Sequence, residues 1–206
     1  IKELHKPENV GKYKDNFYQR LVFDEIFSTF LVNSEIRKKI KKIKKIAKFL
    51  DTKKQNELID RLEFSLTNDQ NKTLSEINKD LCSSNKMFRL LQGDVGSGKT
   101  IVSLLAAYNT INSGFQVALM APTEILARQH FNFAKNLFPN NLNIELISGK
   151  SDYKTKKRVL KNLMDNEIDI IFGTHAIFQK KVIFNNLGLI IICLLYTSDA
   201  ADDLGR

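Results

Sequence analysis

Apolar residues follow two different patterns along this chain, and the change falls near Met87. Upstream of it they recur at spacings of three and four, which is typical of helices with one apolar face. The pattern predicts helices over 13–32 and 35–50. The stripe predicted to face inward from the second helix comprises Ile36, Ile40, Ile43, Ala47 and Leu50. The residues with core-like spacing in the first helix are Phe17, Phe23, Phe27 and Phe30.

The segment Thr67-Asn68-Asp69-Gln70 predicts the start of a helix, because it has the form of a capping box. In that arrangement the N-cap hydroxyl and the side chain three residues later satisfy backbone N–H groups reciprocally. The sequence therefore predicts a helix from this point to about Leu81. Ser83-Ser84-Asn85 is expected to end it.

Downstream of Met87, short apolar runs alternate with longer amphipathic ones. The runs predict strands at Phe88–Gln92, Gln116–Ala121, Asn143–Ile147, Ile168–Phe172 and Leu187–Ile192. The amphipathic segments predict helices at 99–112, 124–137 and 153–165. Such alternation indicates an α/β fold with a parallel sheet covered by helices on both faces.

The strongest chemical signal is a phosphate-binding loop, which reads Gly93, Asp94, Val95, Gly96, Ser97, Gly98, Lys99 and Thr100. Its glycines allow the tight turn that points backbone N–H groups at phosphate oxygens. The helix that follows adds the positive end of its dipole. Lys99 is expected to reach the β- and γ-phosphates, and the Thr100 hydroxyl is expected to bind Mg²⁺. The predicted cofactors are therefore ATP and Mg²⁺.

Charge narrows the class of partner. The formal net charge is +9, and +8 of it lies between Glu35 and Lys54. The basic face from Arg37 to Lys48 is therefore either a solvated helix face or a surface for a polyanion such as nucleic acid.

Cellular setting follows from what the sequence lacks. No apolar run approaches a membrane span, and no export leader is recognisable. Cys82 and Cys193 have no spacing typical of a metal or redox pair, so a reduced, cytoplasmic protein is expected. Ile1 in place of Met leads us to expect native sequence upstream.

Three motifs in order resemble those of the RecG family of superfamily 2 DNA helicases, which remodel stalled replication forks. They are the loop at 93–100, the segment Ala121–His130 and the segment Gly173–Ala176. Phe64–Gln70 resembles the family's segment ahead of the loop, and Leu4–Pro7 with Arg20–Glu25 resembles the connector after its DNA-binding wedge domain. The resemblance covers about residues 1–192.

The resemblance implies a domain order and a set of roles. It implies a helical connector over 1–63 and a first RecA-like ATP-binding lobe over 64–192. A second motor lobe and the wedge domain would belong to the same parent chain, which would act on branched or forked duplex DNA. Gln70 would read adenine, and DNA would be contacted by Pro122, Thr123, Glu124, Gln129, Thr174 and His175.

The chain departs from the family after Ile192. There the family has Asp-Glu-x-His, whose aspartate helps to hold Mg²⁺ and whose glutamate activates the attacking water. This chain continues Cys193-Leu194-Leu195, so no complete set of catalytic residues is present. Residues 193–206 resemble translated sequencing-adapter DNA, and the alternative is a genuine acidic tail. We therefore expect the chain to bind nucleotide without hydrolysing it.

Simpler interpretations stay open at this point. In the simpler interpretation, Gln70 only caps its helix. In the same way, Thr123, Glu124 and Gln129 only form the start and one face of an ordinary helix. His130 is interpreted as structural. For the parent protein, a transcription-repair coupling translocase and a P-loop interaction protein without motor activity are the alternatives to a RecG-type helicase.

Overall fold

The computed structural model describes residues 14–149, 152–179 and 181–194, without the side chains of 14–18 and 40–42. The described residues form two compact units. The first contains residues up to Ile46 together with Ser84–Leu90, and the second contains Ala47–Ser83 and the chain from Leu91 onward. The segment Leu4–Pro7 and residues 195–206 of the tail lie outside the described residues.

In the first unit, a single helix α1 runs from Lys14 to Lys42. The prediction of two helices meeting near residue 33 is wrong, since neither glycine nor proline interrupts this stretch. The predicted continuation to residue 50 is also wrong. Beyond α1 the backbone instead pairs with another segment, because Lys45 N–H donates to the Ser84 carbonyl and Lys86 N–H to the Ile43 carbonyl.

The apolar side chains of α1 do not form the predicted core. Phe23, Phe27 and Phe30 are 56%, 49% and 66% exposed, and the first two stack on each other at 5.7 Å. Phe17 lies outside the described side chains. Ile36 and Ile43 are also exposed, so the inward-facing stripe is wrong as well. A periodic stripe predicts which residues share a face, whereas burial also requires a second element packed against that face.

The second unit begins with two helices, and the residue at the N-cap position accounts for where each helix starts. Helix α2, Thr52–Ile59, was not predicted; the Asp51 carboxylate caps it by accepting from Lys54 N–H. Helix α3, Asn68–Cys82, confirms the predicted capping box, with both reciprocal hydrogen bonds of Thr67 and Gln70 present. Ser83 follows as its C-cap, as expected from the polar break.

Helices and strands then alternate as the sequence predicts. The helices are α4 (Lys99–Asn112), α5 (Glu124–Leu137) and α6 (Tyr153–Met164), and the strands are β1 (Gln116–Met120), β2 (Ile144–Ile147), β3 (Ile170–Gly173) and β4 (Leu187–Ile192). A 3₁₀ turn at His175–Phe178 follows β3. The four strands form a parallel sheet in the order β2-β3-β1-β4. The α/β fold with a parallel sheet is confirmed.

Burial places the core between the sheet and its helices. Every residue of β1 and β3 is buried, as in a central parallel strand covered on both faces. Helix α4 is buried over most of its length. A cluster packs α6 onto the sheet through side chains that include Val159, Leu163, Ile147 and Ile171.

The strand predicted at Phe88–Gln92 is absent. Residues 86–94 are irregular, and Phe88 and Leu90 are about 70% exposed. A strand needs a neighbour for its ladder of hydrogen bonds, and no described strand pairs with this segment. The apolar run is present in the sequence, but it carries no information about its partner.

No helix in the described part of the chain is both long and apolar enough to cross a membrane.

Candidate nucleotide-binding site

Backbone conformation gives the 93–100 loop its shape. Gly96 and Gly98 have φ angles of 82° and 80°, in the left-handed region that glycine adopts without strain. Ser97 N–H donates to the Asp94 carbonyl at 3.2 Å and closes the turn, while the Val95 side chain is fully exposed. A Cβ on Gly93 would lie 2.8 Å from Ser97 Oγ. The glycines are therefore explained by the turn itself.

The start of α4 lies at this loop without a side-chain cap. Gly98 occupies the N-cap position and offers no capping atom. The first N–H groups of a helix have no intrahelical acceptors, and they carry the positive end of the helix dipole. Lys99 and Thr100, both half-buried, are the first two residues of the helix. This uncapped helix start is suited to bind an anion.

The Lys99 ammonium group lies over the loop. Its Nζ donates to the carbonyls of Gly93, at 2.7 Å, and Asp94, and lies 3.4 Å from Ser97 Oγ. The positive charge is thus held against the loop by backbone oxygens. A phosphate group placed there would offer the ammonium charged acceptors in place of neutral ones.

Gln70 is brought to the same loop. Its Nε2 donates to the Ser97 carbonyl at 3.0 Å, and its Oε1 accepts from Thr67 N–H at 2.9 Å. A Cβ on Gly98 would collide with the Gln70 amide, so this contact needs glycine at 98. Among the described residues, each atom of the amide makes one of its two possible hydrogen bonds, so one N–H and one lone pair remain for a ligand.

A second group of predicted residues lies at the carboxyl edge of the sheet. Thr123 caps α5 by accepting from Leu126 N–H at 3.3 Å, and Glu124 approaches Arg128 at 4.0 Å. Pro122 is half-buried and Gln129 is exposed. Thr123 therefore caps α5, and its hydroxyl group still has one hydrogen to donate to another partner.

Thr174 and His175 follow the neighbouring strand. Met120 of β1 pairs with Gly173 of β3, and Ala121 N–H donates to the Gly173 carbonyl at 2.9 Å. The segments that follow these two parallel strands are therefore side by side. Thr174 is half-buried and makes no side-chain cap to the 3₁₀ turn, and His175 is exposed.

His130 differs from these polar residues because one of its ring nitrogens is buried. Its Nε2 is buried without a hydrogen-bond partner among the described residues, and desolvation lowers the pKa of its imidazole. A neutral, partly buried ring agrees with its interpretation as a structural residue.

Cys193 lies at the end of β4, where its N–H donates to the Met120 carbonyl at 2.8 Å. Burial raises the pKa of the Cys193 thiol, and the Lys99 ammonium opposes that shift to a smaller extent. Position 193 is therefore close enough to Lys99 for the two groups to interact. No group of three or more His, Cys, Asp or Glu residues suited to a metal ion occurs in the described part of the chain.

The family model described as DEAD/DEAH box helicase matches residues 67–192. The ATP-dependent DNA helicase RecG of Aquifex aeolicus (strain VF5) is 41% identical over 198 residues, which cover 93% of this chain and 25% of that protein. RecG of Streptococcus pneumoniae serotype 4 is 40% identical over a region that covers 93% of this chain and 28% of that protein.

A solved structure of RecG bound to a three-way DNA junction superposes with a TM-score of 0.76. The two sequences are 41% identical, and the superposed region covers 84% of this chain and 24% of the RecG chain in that structure. The chain thus spans about a quarter of the length of the relatives that it matches. These similarities confirm the resemblance to RecG, and the family model, which matches more than half of the residues, shows that the chain belongs to the DEAD/DEAH box helicases.

Proposed function

We propose that this chain is the first ATP-binding lobe of a RecG-type DNA helicase that remodels branched DNA. The observation that carries the proposal is the convergence of three groups on one loop. The uncapped start of α4, the Lys99 ammonium and the Gln70 amide all face the turn at 93–98. The named relatives are ATP-dependent DNA helicases, which favours this parent over a translocase or a P-loop protein without motor activity.

The loop fits the phosphates of a nucleotide. ATP supplies the phosphoanhydride bond, and Mg²⁺ neutralises charge on its phosphates. Lys99 would exchange its bonds to the Gly93 and Asp94 carbonyls for phosphate oxygens, and backbone N–H groups of the loop and of the start of α4 would line the rest of the cradle. Thr100 is the residue that would hold Mg²⁺, through its hydroxyl.

Gln70 would face the base. Its remaining N–H and lone pair match the acceptor and donor that adenine offers side by side. The bond from Nε2 to the Ser97 carbonyl fixes the amide against the loop, so that base contact and phosphate contact would be made by one rigid surface.

The DNA side would be the carboxyl edge of the sheet. Pro122, Thr123, Glu124 and Gln129 follow β1, Thr174 and His175 follow β3, and these strands are adjacent. Hydroxyl, amide and imidazole groups at this edge are suited to phosphate and sugar contacts. Hydrolysis in the parent would draw on a second motor lobe, and fork recognition on a wedge domain.

We also propose the domain boundaries given by the resemblance, with the connector over 1–63, the lobe over 64–192 and a non-native tail over 193–206. Cys193 and Leu194 then stand where the family has its acidic pair. The cytoplasm is the proposed location.

Titration with ATP tests the nucleotide site. Replacing Lys99 with Ala removes the charge that faces the loop, so ATP affinity should fall at least tenfold, or about 1.4 kcal/mol. Lys72→Ala, an exposed lysine on α3, is the matched control and should bind ATP like the unaltered chain. Equal titration curves for Lys99→Ala and the unaltered chain would contradict the assignment of the loop.

A further inference from the structure

Helix α6 carries a concentration of positive charge outside the sites described above. Its twelve residues include four lysines and one arginine, and no Asp or Glu. They are Lys154, Lys156, Lys157, Arg158 and Lys161. The predicted basic face at Arg37–Lys48 is a different part of the chain.

The helix is firmly seated. Val159 and Leu163 are fully buried in the cluster that joins α6 to the sheet, so its opposite face is held toward solvent. Lys156 Nζ donates to the Gly149 carbonyl at 3.1 Å, and Arg158 pairs with Glu145 at 2.9 Å. These two cations help to fix the helix to the residues of β2 and just after it.

The other three cations are differently placed. Lys154, Lys157 and Lys161 are exposed, and none of them makes a side-chain hydrogen bond or ion pair with a described residue. Their spacing of three and four puts them on one face of α6. We refer to these three residues as the lysine stripe. It extends roughly 10 Å along the helix, at 1.5 Å per residue.

The stripe begins beside the edge of the sheet that carries the other candidate DNA residues. Helix α6 starts shortly after the carboxyl end of β2, and β2, β3 and β1 are consecutive parallel strands. Thr123 and Thr174 follow the carboxyl ends of β1 and β3. The N-terminal end of the stripe and these threonines therefore lie at the same edge.

We propose that the lysine stripe binds the phosphate backbone of duplex DNA as an extension of this edge. The inference rests on the proposed function and adds a surface to it. A stripe of roughly 10 Å is long enough to meet roughly three phosphates of a strand that rises 3.4 Å per nucleotide. Lysine ammonium groups act on phosphates as point charges, so the contact is independent of base sequence.

Salt dependence of DNA binding tests the stripe. Each phosphate that is neutralised steepens the fall of log affinity with log salt by about 0.9. Replacing Lys154, Lys157 and Lys161 together with Gln should flatten the slope for a forked duplex by up to about 2.7. The matched control replaces Lys53, Lys54 and Lys79, which are exposed on α2 and α3, with Gln and should keep the slope of the unaltered chain.

Each outcome has one meaning. Equal slopes for the stripe variant and the unaltered chain, with ATP affinity preserved in both, would overturn the lysine stripe and leave the proposed helicase function standing. A chain that binds ATP but no duplex at any salt concentration would contradict the proposed function and the stripe with it. Stripe-dependent binding to phosphatidylserine vesicles, under conditions in which duplex DNA does not bind, would assign the surface to an acidic membrane and overturn the proposal.

Discussion

At the scale of single residues, Gln70 links the cap of α3 to the 93–100 loop. Its Oε1 completes the capping box of α3, and its Nε2 reaches the Ser97 carbonyl in the phosphate loop. A capping glutamine that ended at its own helix would make only the first of these contacts. The structure therefore makes the cap the means by which the amide is aimed at the loop.

We predict that Gln70→Ala narrows the preference for ATP over GTP by about threefold to tenfold, the value of one hydrogen bond of about 0.5–1.5 kcal/mol. Thr67→Ala is the matched control, because it removes the hydroxyl that caps Gln70 N–H and leaves the amide in place. Competition titrations measure the preference, and circular dichroism measures helix content. An equal loss of preference in both variants would mean that the cap alone matters.

His130 gives a prediction about pH. Desolvation lowers the pKa of its imidazole, so the unfolded chain takes up a proton more readily than the folded one. The stabilising effect of the neutral ring is complete above about pH 6.5, the ordinary pKa of histidine, and is lost as the pH falls toward the lower pKa of the folded state.

Urea unfolding of the His130→Leu variant should therefore depend less on pH between about pH 5 and 7 than unfolding of the unaltered chain. His175→Leu changes an exposed histidine and should retain the parent dependence. An equal pH dependence of the free energy of unfolding in His130→Leu and in the unaltered chain would show that burial of this ring does not contribute to that dependence.

At the scale of elements, Gln116 joins β1 to its surroundings through one buried side chain. Its Nε2 donates to the carbonyls of Leu163 and Ile168 at 3.0 and 2.9 Å, and its Oε1 accepts from Asn186 N–H at 3.1 Å. These three groups lie at the end of α6, ahead of β3 and ahead of β4. One glutamine thus bonds to backbone groups at two connections, the one from α6 to β3 and the one that enters β4.

Gln116→Leu should destabilise the fold by about 2–6 kcal/mol, because the Ile168 carbonyl and the Asn186 N–H lose their partner and each unsatisfied group costs about 1–3 kcal/mol. The Leu163 carbonyl still accepts from the N–H groups of Asn166 and Asn185. Chemical denaturation measures the change in the free energy of unfolding. Gln129→Leu makes the same substitution at an exposed position on α5 and should change it by less than about 0.5 kcal/mol. Similar values for the two variants would contradict this role of Gln116.

Elements with local signals could be predicted from the sequence, and those that depend on distant partners could not. Helix α3 has the local signal of a capping box at Thr67 and Gln70, α4 follows the glycine-rich loop, and α5 and α6 follow strands with a clear change of period. The segment at Phe88–Gln92 has the composition of a strand but no described strand beside it. Residues 43–48 have a helical stripe, yet their backbone pairs with residues 81–86.

The candidate site divides in the same way. The loop at 93–100 and Gln70 could be found because glycines and a capping box are local signals. The position of Cys193, whose N–H donates to the Met120 carbonyl, depends on the pairing of β4 with β1, which periodicity does not reveal. The spacing of the lysine stripe is visible in the sequence, but spacing alone does not show that this face of α6 is exposed in the fold.

At the scale of the whole molecule, the proposed nucleotide site has groups suited to binding phosphates, whereas the two residues that follow β4 are not acidic. Cys193 follows β4, at the position where the resemblance implies the aspartate of an acidic pair, and Leu194 comes next and is 71% exposed. Neither side chain binds Mg²⁺ or activates water as a carboxylate does. The arginine finger expected from a second lobe is worth roughly 10³–10⁵ in rate by itself.

We predict that the chain binds ATP but releases no more phosphate than its Lys99→Ala variant, with or without forked DNA. The double variant Cys193→Asp, Leu194→Glu should tighten Mg²⁺-dependent ATP binding by about tenfold, or 1.4 kcal/mol, since it adds a carboxylate beside the loop. Cys193→Asn with Leu194→Gln has the same shape without the charge and should leave the affinity unchanged. Stimulation of phosphate release by forked DNA in the unaltered chain would show that Cys193 and Leu194 do not replace essential groups. Equal Mg²⁺ dependence in the two double variants would place position 193 outside the metal site.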